Sequence, residues 1–270
     1  MFSLRPCAYY LSLFGLLSLC GIAALPSHAQ AAFDGFNHFP GLRLSGQGGG
    51  TGWASAWSGT GAAVADRKLS DPTGRLSTPP SSVTIQAEGG DFLSISRRTA
   101  FEYGQPGTTE WFSFVIVRTR ANPGATTPPA YGGLAVGGNP SLFIGDPGDG
   151  HWGMDTSGPP ALKGAVDAGP IADNVPTFLV VRADFRAGAA RLTLYQNPKP
   201  GLPAPNVLGV VKTDLALTPG HSVTLTYGNG SAYTIGALRL GRSYAAVAPA
   251  VPMASKHARP RLSDRKRAVL

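Results

Sequence analysis

The stretch Thr177–Asn197, TFLVVRADFRAGAARLTLYQN, contains two runs, Thr177–Arg186 and Arg191–Asn197, joined by a short turn around Gly188. Two such runs around a glycine-bearing turn predict a β-hairpin. Upstream, Trp111-Phe-Ser-Phe-Val-Ile-Val117 is apolar at nearly every position, which suits a central strand covered on both sides. Elsewhere apolar and polar residues alternate. Val83, Ile85 and Ala87 alternate with Thr84, Gln86 and Glu88, and Val223, Leu225 and Tyr227 alternate with Thr224 and Thr226. A period of two predicts half-buried strands. With Phe92–Ser96, Gly133–Gly137, Ser141–Ile144 and Ile235–Leu240 added, about ten strands fall at the spacing of a sandwich or barrel. The 36 glycines and 24 prolines punctuate the chain, and no segment carries apolar residues at helical spacing for three turns. The expected fold class is all-β, in a single domain.

The ends of the chain differ from this body. MFSLRPCAYYLSLFGLLSLCGIAALPSHAQA places Arg5 before an apolar run from Tyr10 to Leu25, followed by Pro26, Ser27 and Ala29. A basic start, a hydrophobic middle and a small-x-small site are the order of a secretory signal peptide. Residues 1–29 are therefore expected to be removed after Ala29, with Ala31 as the second choice. The apolar run is short for the roughly 20 residues that a bilayer span needs, and Leu19 stands where a small residue would precede a lipidated Cys20. The expected localisation is secreted, extracellular or periplasmic. Both cysteines, Cys7 and Cys20, lie in the leader, so the mature chain has neither a disulfide nor a cysteine metal site. Its core must hold it together. Some 240 residues suffice, since a 150-residue domain already hides about 68–70% of its unfolded surface.

The net charge of +8 is unevenly placed. Lys256, Arg259, Arg261, Arg265, Lys266 and Arg267 crowd the last sixteen residues beside Asp264. Without them and Arg5, the body holds 16 basic against 14 acidic residues. The folded domain is expected over 32–247, and 248–270 as an Ala/Pro linker with a disordered basic tail. Two readings of the tail stay open: a solvated arm, or an arm that binds an anionic polymer or envelope surface.

The segments FDGFNHFPGLRLSGQGGGTGWASAWSG, RRTAFEYGQPGTTEWFSFVIV, YGGLAVGGNPSLFIGDPGDGHWGMD, FLVVRADFRAGAARLTLYQNPKPG and IGALRLGRSYAAVAP follow in this order. Together they resemble a group of secreted bacterial proteins with a concanavalin-A-like, laminin-G-like jelly roll, over roughly Phe33 to Pro249. The resemblance implies an antiparallel two-sheet β-sandwich. It suggests a polysaccharide or surface glycan as partner, because the wider superfamily contains lectins, glucanases, lyases and adhesion modules. Many relatives end in a sorting motif with a membrane-spanning helix, and this chain ends in its basic arm instead.

The sequence holds few patterns of chemistry. The glycines of Gly46-Gln-Gly-Gly-Gly-Thr-Gly52 are followed by no helix pattern and no Gly-Lys-Ser/Thr, so no nucleotide cofactor is expected. They suit a bend with positive φ. Trp53 and Trp57, four apart, would share a face on a regular strand, either as core or as a sugar-stacking surface. Glu88, Glu102 and Glu110 stand in separate segments, and the Glu-x-Asp-x-Glu pattern of the superfamily's glucanases is missing. A cross-strand pair such as Glu88 with Glu110 is the remaining arrangement for a glycosidase. No Gly-x-Ser-x-Gly elbow or His-Glu-x-x-His is present, and no catalytic residue is assigned. Arg97, Arg98, Tyr131 and His151 match parts of the lyases' set, although the Arg97-Arg98 and Arg118-x-Arg120 doublets read more simply as solvated strand ends. The densest polar cluster, Gly145-Asp-Pro-Gly-Asp-Gly-His-Trp152, is either an ordinary turn or a calcium loop. In the latter, Asp146, Asp149 and Asp155 would supply oxygens and position Trp152. The ligand candidates are therefore Trp53, Trp57, Tyr131, His151 and Trp152. The leading expectation is a secreted, non-enzymatic jelly-roll domain that binds a glycan or takes part in surface interaction. The alternatives are a polysaccharide-degrading enzyme and a purely structural or adhesion module.

Overall fold

The computed structural model describes residues 30–87, 91–120, 130–157, 166–206 and 209–251. The expected leader at 1–29, Glu88 and the part of the expected basic tail from 252 onward lie outside the described residues.

Two antiparallel sheets pack face to face. The first runs β13 (Val210–Leu215), β12 (Ala190–Gln196), β11 (Thr177–Asp184), β6 (Thr109–Arg120), β15 (Ala232–Gly241), β4 (Ser82–Gln86) and β3 (Ala62–Ala65), and β1 (Gln30–Asp34) also pairs with β15. The second runs β10 (Val166–Pro170), β9 (His151–Ser157), β8 (Ser141–Asp146), β7 (Tyr131–Gly137), β14 (Gly220–Gly228), β5 (Phe92–Tyr103) and β2 (Ser58–Gly59). The only helix among the described residues is the single turn α1 (Tyr244–Val247), whose first turn Ser243 caps. The chain is thus an all-β jelly-roll sandwich, with more strands than the alternation alone revealed.

The hairpin expected over Thr177–Asn197 forms as β11 and β12, with Asp184 opposite Arg191 and Gly188 at φ 99° in the turn. β6 lies between β11 and β15, and its double-sided apolar character has two causes. Phe112, Phe114 and Ile116 enter the space between the sheets, while Trp111, Val115 and Val117 face outward. Their outer cover is Leu69, Leu76, Tyr244, Val247 and Ala248. The Ser113 hydroxyl fixes this cover by donating to the Val247 carbonyl at 2.6 Å.

This cover moves the expected domain end. Ala248 is fully buried, Ala250 bridges Leu76, and the Val251 amide donates to the Arg75 carbonyl at 2.7 Å. The folded body therefore reaches Val251 and not 247. The Ala/Pro composition that reads as linker supplies small side chains against the outer face of β6.

Candidate functional site

The glycine run after Leu44 bends back on β1. The Thr51 and Phe33 backbones exchange hydrogen bonds of 2.9 and 3.0 Å, and a Cβ on Gly52 would collide with the Ala31 carbonyl. This approach carries Trp53 and Trp57 inward. Trp57 is 1% exposed and its indole N–H donates to Asp34 Oδ2 at 2.8 Å. Arg97 is also buried and is ion-paired with Asp34. Its guanidinium lies 4.5 Å from the Trp53 ring centre and 5.6 Å from that of Trp57, and it donates to the Ser55 and Gly49 carbonyls at 3.1 Å each. Burial lowers the Arg97 pKa and Asp34 opposes that shift. The sugar-stacking expectation for Trp57 is therefore corrected, because its ring is walled by Phe36, Trp53 and Arg97. Arg97 is not a solvated strand end either. Neighbours on a strand point to opposite faces, so only Arg98 of the doublet is exposed.

The Asp/Gly cluster is the turn of a hairpin, since β8 ends at Asp146 and β9 begins at His151. Asp146 points into the interior. It accepts from Arg118 Nη1 at 3.0 Å, the Tyr233 hydroxyl at 2.9 Å and the Gly148 amide at 2.8 Å. Gly132 makes room for this, as a Cβ there would enter the Tyr233 ring. Burial pushes the Asp146 pKa up despite these donors, whereas Arg118, which reaches toward solvent, is held above its ordinary value by Asp173 and Asp146. The two ends differ because the carboxylate carries most of the desolvation. Arg118 is thus a paired residue and not a free strand end. Trp152 is fully buried and its indole N–H donates to Thr177 Oγ1 at 3.1 Å. It is core, which corrects its assignment as a ligand residue. Asp149 accepts from the His151 amide at 2.9 Å. Asp155 pairs with Phe143 three residues up the ladder from Asp146, accepts from the Thr156 amide at 2.8 Å and lies 3.7 Å from Lys212 Nζ. No group of three His, Cys, Asp or Glu side chains suited to a metal gathers among the described residues, so Asp146, Asp149 and Asp155 do not converge as a calcium site would need. Millimolar calcium is expected to leave the melting temperature unchanged. Asp149→Ala is expected to change stability by less than about 0.5 kcal/mol in urea titrations, as exposed positions generally do.

One surface open to solvent is the outer face of the second sheet. On β5 and β14 the residues facing away from the core are Phe92, Ser94, Ser96 and Arg98, and Ser222, Thr224 and Thr226. The register sets Ser94 beside Thr226, Ser96 beside Thr224 and Arg98 beside Ser222. A ladder of hydroxyls, about 13 Å from Ser222 to Thr226 at about 3.3 Å per residue, thus runs between an aromatic end and a basic end. The aromatic end is Phe92, 45% exposed, with its ring 6.0 Å from that of Tyr131 on β7. Burial raises the Tyr131 pKa, and a hydrogen bond with Thr226 counters it. Alternation from the paired Gly133, Gly145 and Gly153 puts His151 on the same face as Tyr131, two strands away. The His151 imidazole lies 3.9 Å from Asp149 and 3.8 Å from Asp167.

This chain resembles sandwich proteins of known structure only distantly. An endo-β-1,4-glucuronan lyase from the fungus Trichoderma reesei aligns at 8% identity and TM-score 0.48, over 81% of this chain and 98% of the lyase. An endo-1,3-β-glucanase from Streptomyces sioyaensis aligns at 12% and 0.44, over 80% and 97%. The carbohydrate recognition domain of Emp47p aligns at 10% and 0.40, over 78% and 97%. No protein-family model and no curated protein matches the sequence. At these values the likenesses assign neither activity nor ligand to this chain.

Of the five expected ligand residues, the structure thus brings Tyr131 and His151 to one exposed face. It buries Trp57 and Trp152 and leaves Trp53 half-buried, its indole N–H donating to the Phe33 carbonyl at 2.9 Å. The ladder itself was missed. Its signal was present in the alternating Ser94, Ser96, Thr224 and Thr226, but the pairing of segments some 130 residues apart was not. Of the glutamates, Glu110 is 4% exposed. Burial raises its pKa against Arg242, 3.8 Å away. Glu102 is the single carboxylate on β5, β7 and β14 among the described residues, and it accepts from Gln105 at 2.6 Å.

Proposed function

We propose that this chain is a secreted, non-catalytic jelly-roll module that binds a glycan along the hydroxyl ladder of its second sheet. The leader-like residues 1–29 support secretion. The binding reading rests on one observation, the outward-facing, partly exposed strip of Ser94, Ser96, Ser222, Thr224 and Thr226 ending in the Phe92–Tyr131 pair. Hydroxyls both donate and accept, which matches a sugar's own groups, and an aromatic face supplies apolar area for the C–H side of a ring. Retaining hydrolysis needs two carboxyls about 5–5.5 Å apart, whereas the strands that carry this strip, β5, β7 and β14, hold Glu102 alone among their described residues.

The test is retention on a glycan array. The double variant Phe92→Ala/Tyr131→Ala is expected to lose at least tenfold in affinity for whichever glycan the native chain retains, while its melting temperature stays within about 5 °C. An array with no retained glycan overturns the reading and favours the adhesion module.

One observation favours polysaccharide cleavage as the second reading: Tyr131 and His151 share a face. Burial keeps the Tyr131 phenol protonated at neutral pH, which suits a proton donor and not a base, so His151 would have to take the proton. Release of shortened, unsaturated products from a polysaccharide panel would establish this reading.

A further inference from the structure

Two adjoining cavities on the first sheet offer a different chemistry. One, about 390 Å³, lies over the outer face of β11 and β12 and is lined by Arg182, Asp184, Arg186, Arg191 and Tyr195. The other, about 780 Å³, continues beneath the proline-rich segment 198–206 and is lined by Tyr195, Leu202, Pro203 and Pro205. Tyr195 and Pro205 border both, so a basic mouth leads into a more apolar trough. Each volume falls within the roughly 300–1,000 Å³ of small-ligand sites.

The mouth carries an excess of positive charge. Arg182 donates from Nε and Nη2 to Asp184 Oδ1, both at 2.9 Å, and that oxygen also accepts from the Thr109 hydroxyl at 2.8 Å. Asp184 is thereby occupied. Arg186 and Arg191 are exposed and have no carboxylate partner among the described residues. Two planar guanidinium forks next to one opening suit oxygen anions, which they bind in pairs of parallel hydrogen bonds. The Tyr195 ring forms the wall between mouth and trough and is stacked at 15° on Trp111, which also lies beneath Arg182. Burial raises its pKa, so its phenol stays neutral and offers one donor and acceptor at the rim.

We infer that this cleft binds an anionic saccharide, with a carboxylate or sulfate at Arg186 and Arg191 and the apolar side of a sugar ring against Tyr195 and Pro205. A flat aromatic and proline wall beside arginine forks matches a molecule with one apolar face and one charged substituent. An open trough, continuing past the mouth, admits a chain. The cleft lies on the opposite sheet from the hydroxyl ladder and does not depend on the function proposed for it.

Isothermal titration of the native chain with a galacturonate hexamer, a sulfated dextran oligomer, neutral maltohexaose and polyglutamate tests the inference. At least one of the two acidic saccharides is expected to bind, and which one names the anion, while maltohexaose and polyglutamate do not bind in this cleft. Arg186→Gln/Arg191→Gln, at exposed positions that leave the melting temperature in place, is expected to weaken that binding tenfold or more. Phe92→Ala/Tyr131→Ala is expected to leave it unchanged. Absence of binding by both acidic saccharides, binding that survives the arginine substitutions, or polyglutamate binding as tight as the saccharide's each overturns it.

Discussion

Asp34→Ala is expected to destabilise the fold by about 3–5 kcal/mol, the usual cost of removing one partner from a buried ion pair. The Arg97 side chain is 2% exposed and loses its counter-charge. Its remaining partners are the Ser55 and Gly49 carbonyls and the faces of two indoles. The substitution also orphans the Trp57 indole N–H and the Phe36 amide, which donate to the two Asp34 oxygens at 2.8 Å each. An unpaired buried donor costs about 1–3 kcal/mol. For a domain of this size, about 2–4 °C of melting temperature is lost per kcal/mol, so a fall of roughly 6–20 °C is expected. Asp34→Asn keeps an acceptor and should fall between the native chain and Asp34→Ala. Asp34→Leu/Arg97→Met, which removes both charges, should regain part of the loss. The reason is that desolvation of Arg97 already works against its charged form, and an apolar pair relieves that cost. Urea unfolding followed by tryptophan fluorescence measures all three. A loss under about 1 kcal/mol for Asp34→Ala would mean that the pair is solvated and that the glycine bend, not the ion pair, fixes Trp57.

The legible parts of the fold were those written in local pattern. The runs Thr177–Arg186 and Arg191–Asn197 became β11 and β12 with ends displaced by one or two residues, because turn and alternation are both local. The central place of β6 was legible from its apolar content, but its cover was not, since Leu69 and Leu76 lie outside the expected strands and Ala248 in the expected linker. Burial of polar and aromatic residues was hardest to foresee. Arg97 and Asp146 carry charge, Arg97 in an arginine doublet and Asp146 at the head of an Asp/Gly/Pro turn, so pattern places them in water. Each enters the interior because a partner distant in sequence, Asp34 for the one and Tyr233 with Arg118 for the other, meets it there. The two candidate surfaces fared unequally for the same reason. Tyr131 and His151 were named singly, while the ladder of Ser94, Ser96, Thr224 and Thr226 exists only once β5 and β14 pair. The cleft at Arg186 and Arg191 exists only once segment 198–206 folds over β12.

Trp152→Ala separates the core role of that residue from the ligand role its setting in the sequence suggested. The fully buried indole packs with Met154 and Ile144 in the main core, and its removal leaves a cavity. Truncating a buried tryptophan to alanine costs about 3–5 kcal/mol, and the Thr177 hydroxyl loses its donor as well. Trp152→Phe refills most of the space and is expected to cost less, about 1–3 kcal/mol, from the lost hydrogen bond and imperfect packing. A residue that stacked on sugar would behave in the opposite way, with stability kept and binding lost. Here stability is expected to fall while the surviving folded fraction keeps its affinity, because the hydroxyl ladder and the cleft at Arg186 and Arg191 contain no atom of Trp152. Thermal melts paired with glycan retention on the same samples distinguish the two. Loss of retention at an unchanged melting temperature would return Trp152 to the ligand site. The alternation of β9 argues against that, since it turns Trp152 and Met154 inward together and puts His151 on the opposite, solvent-facing side.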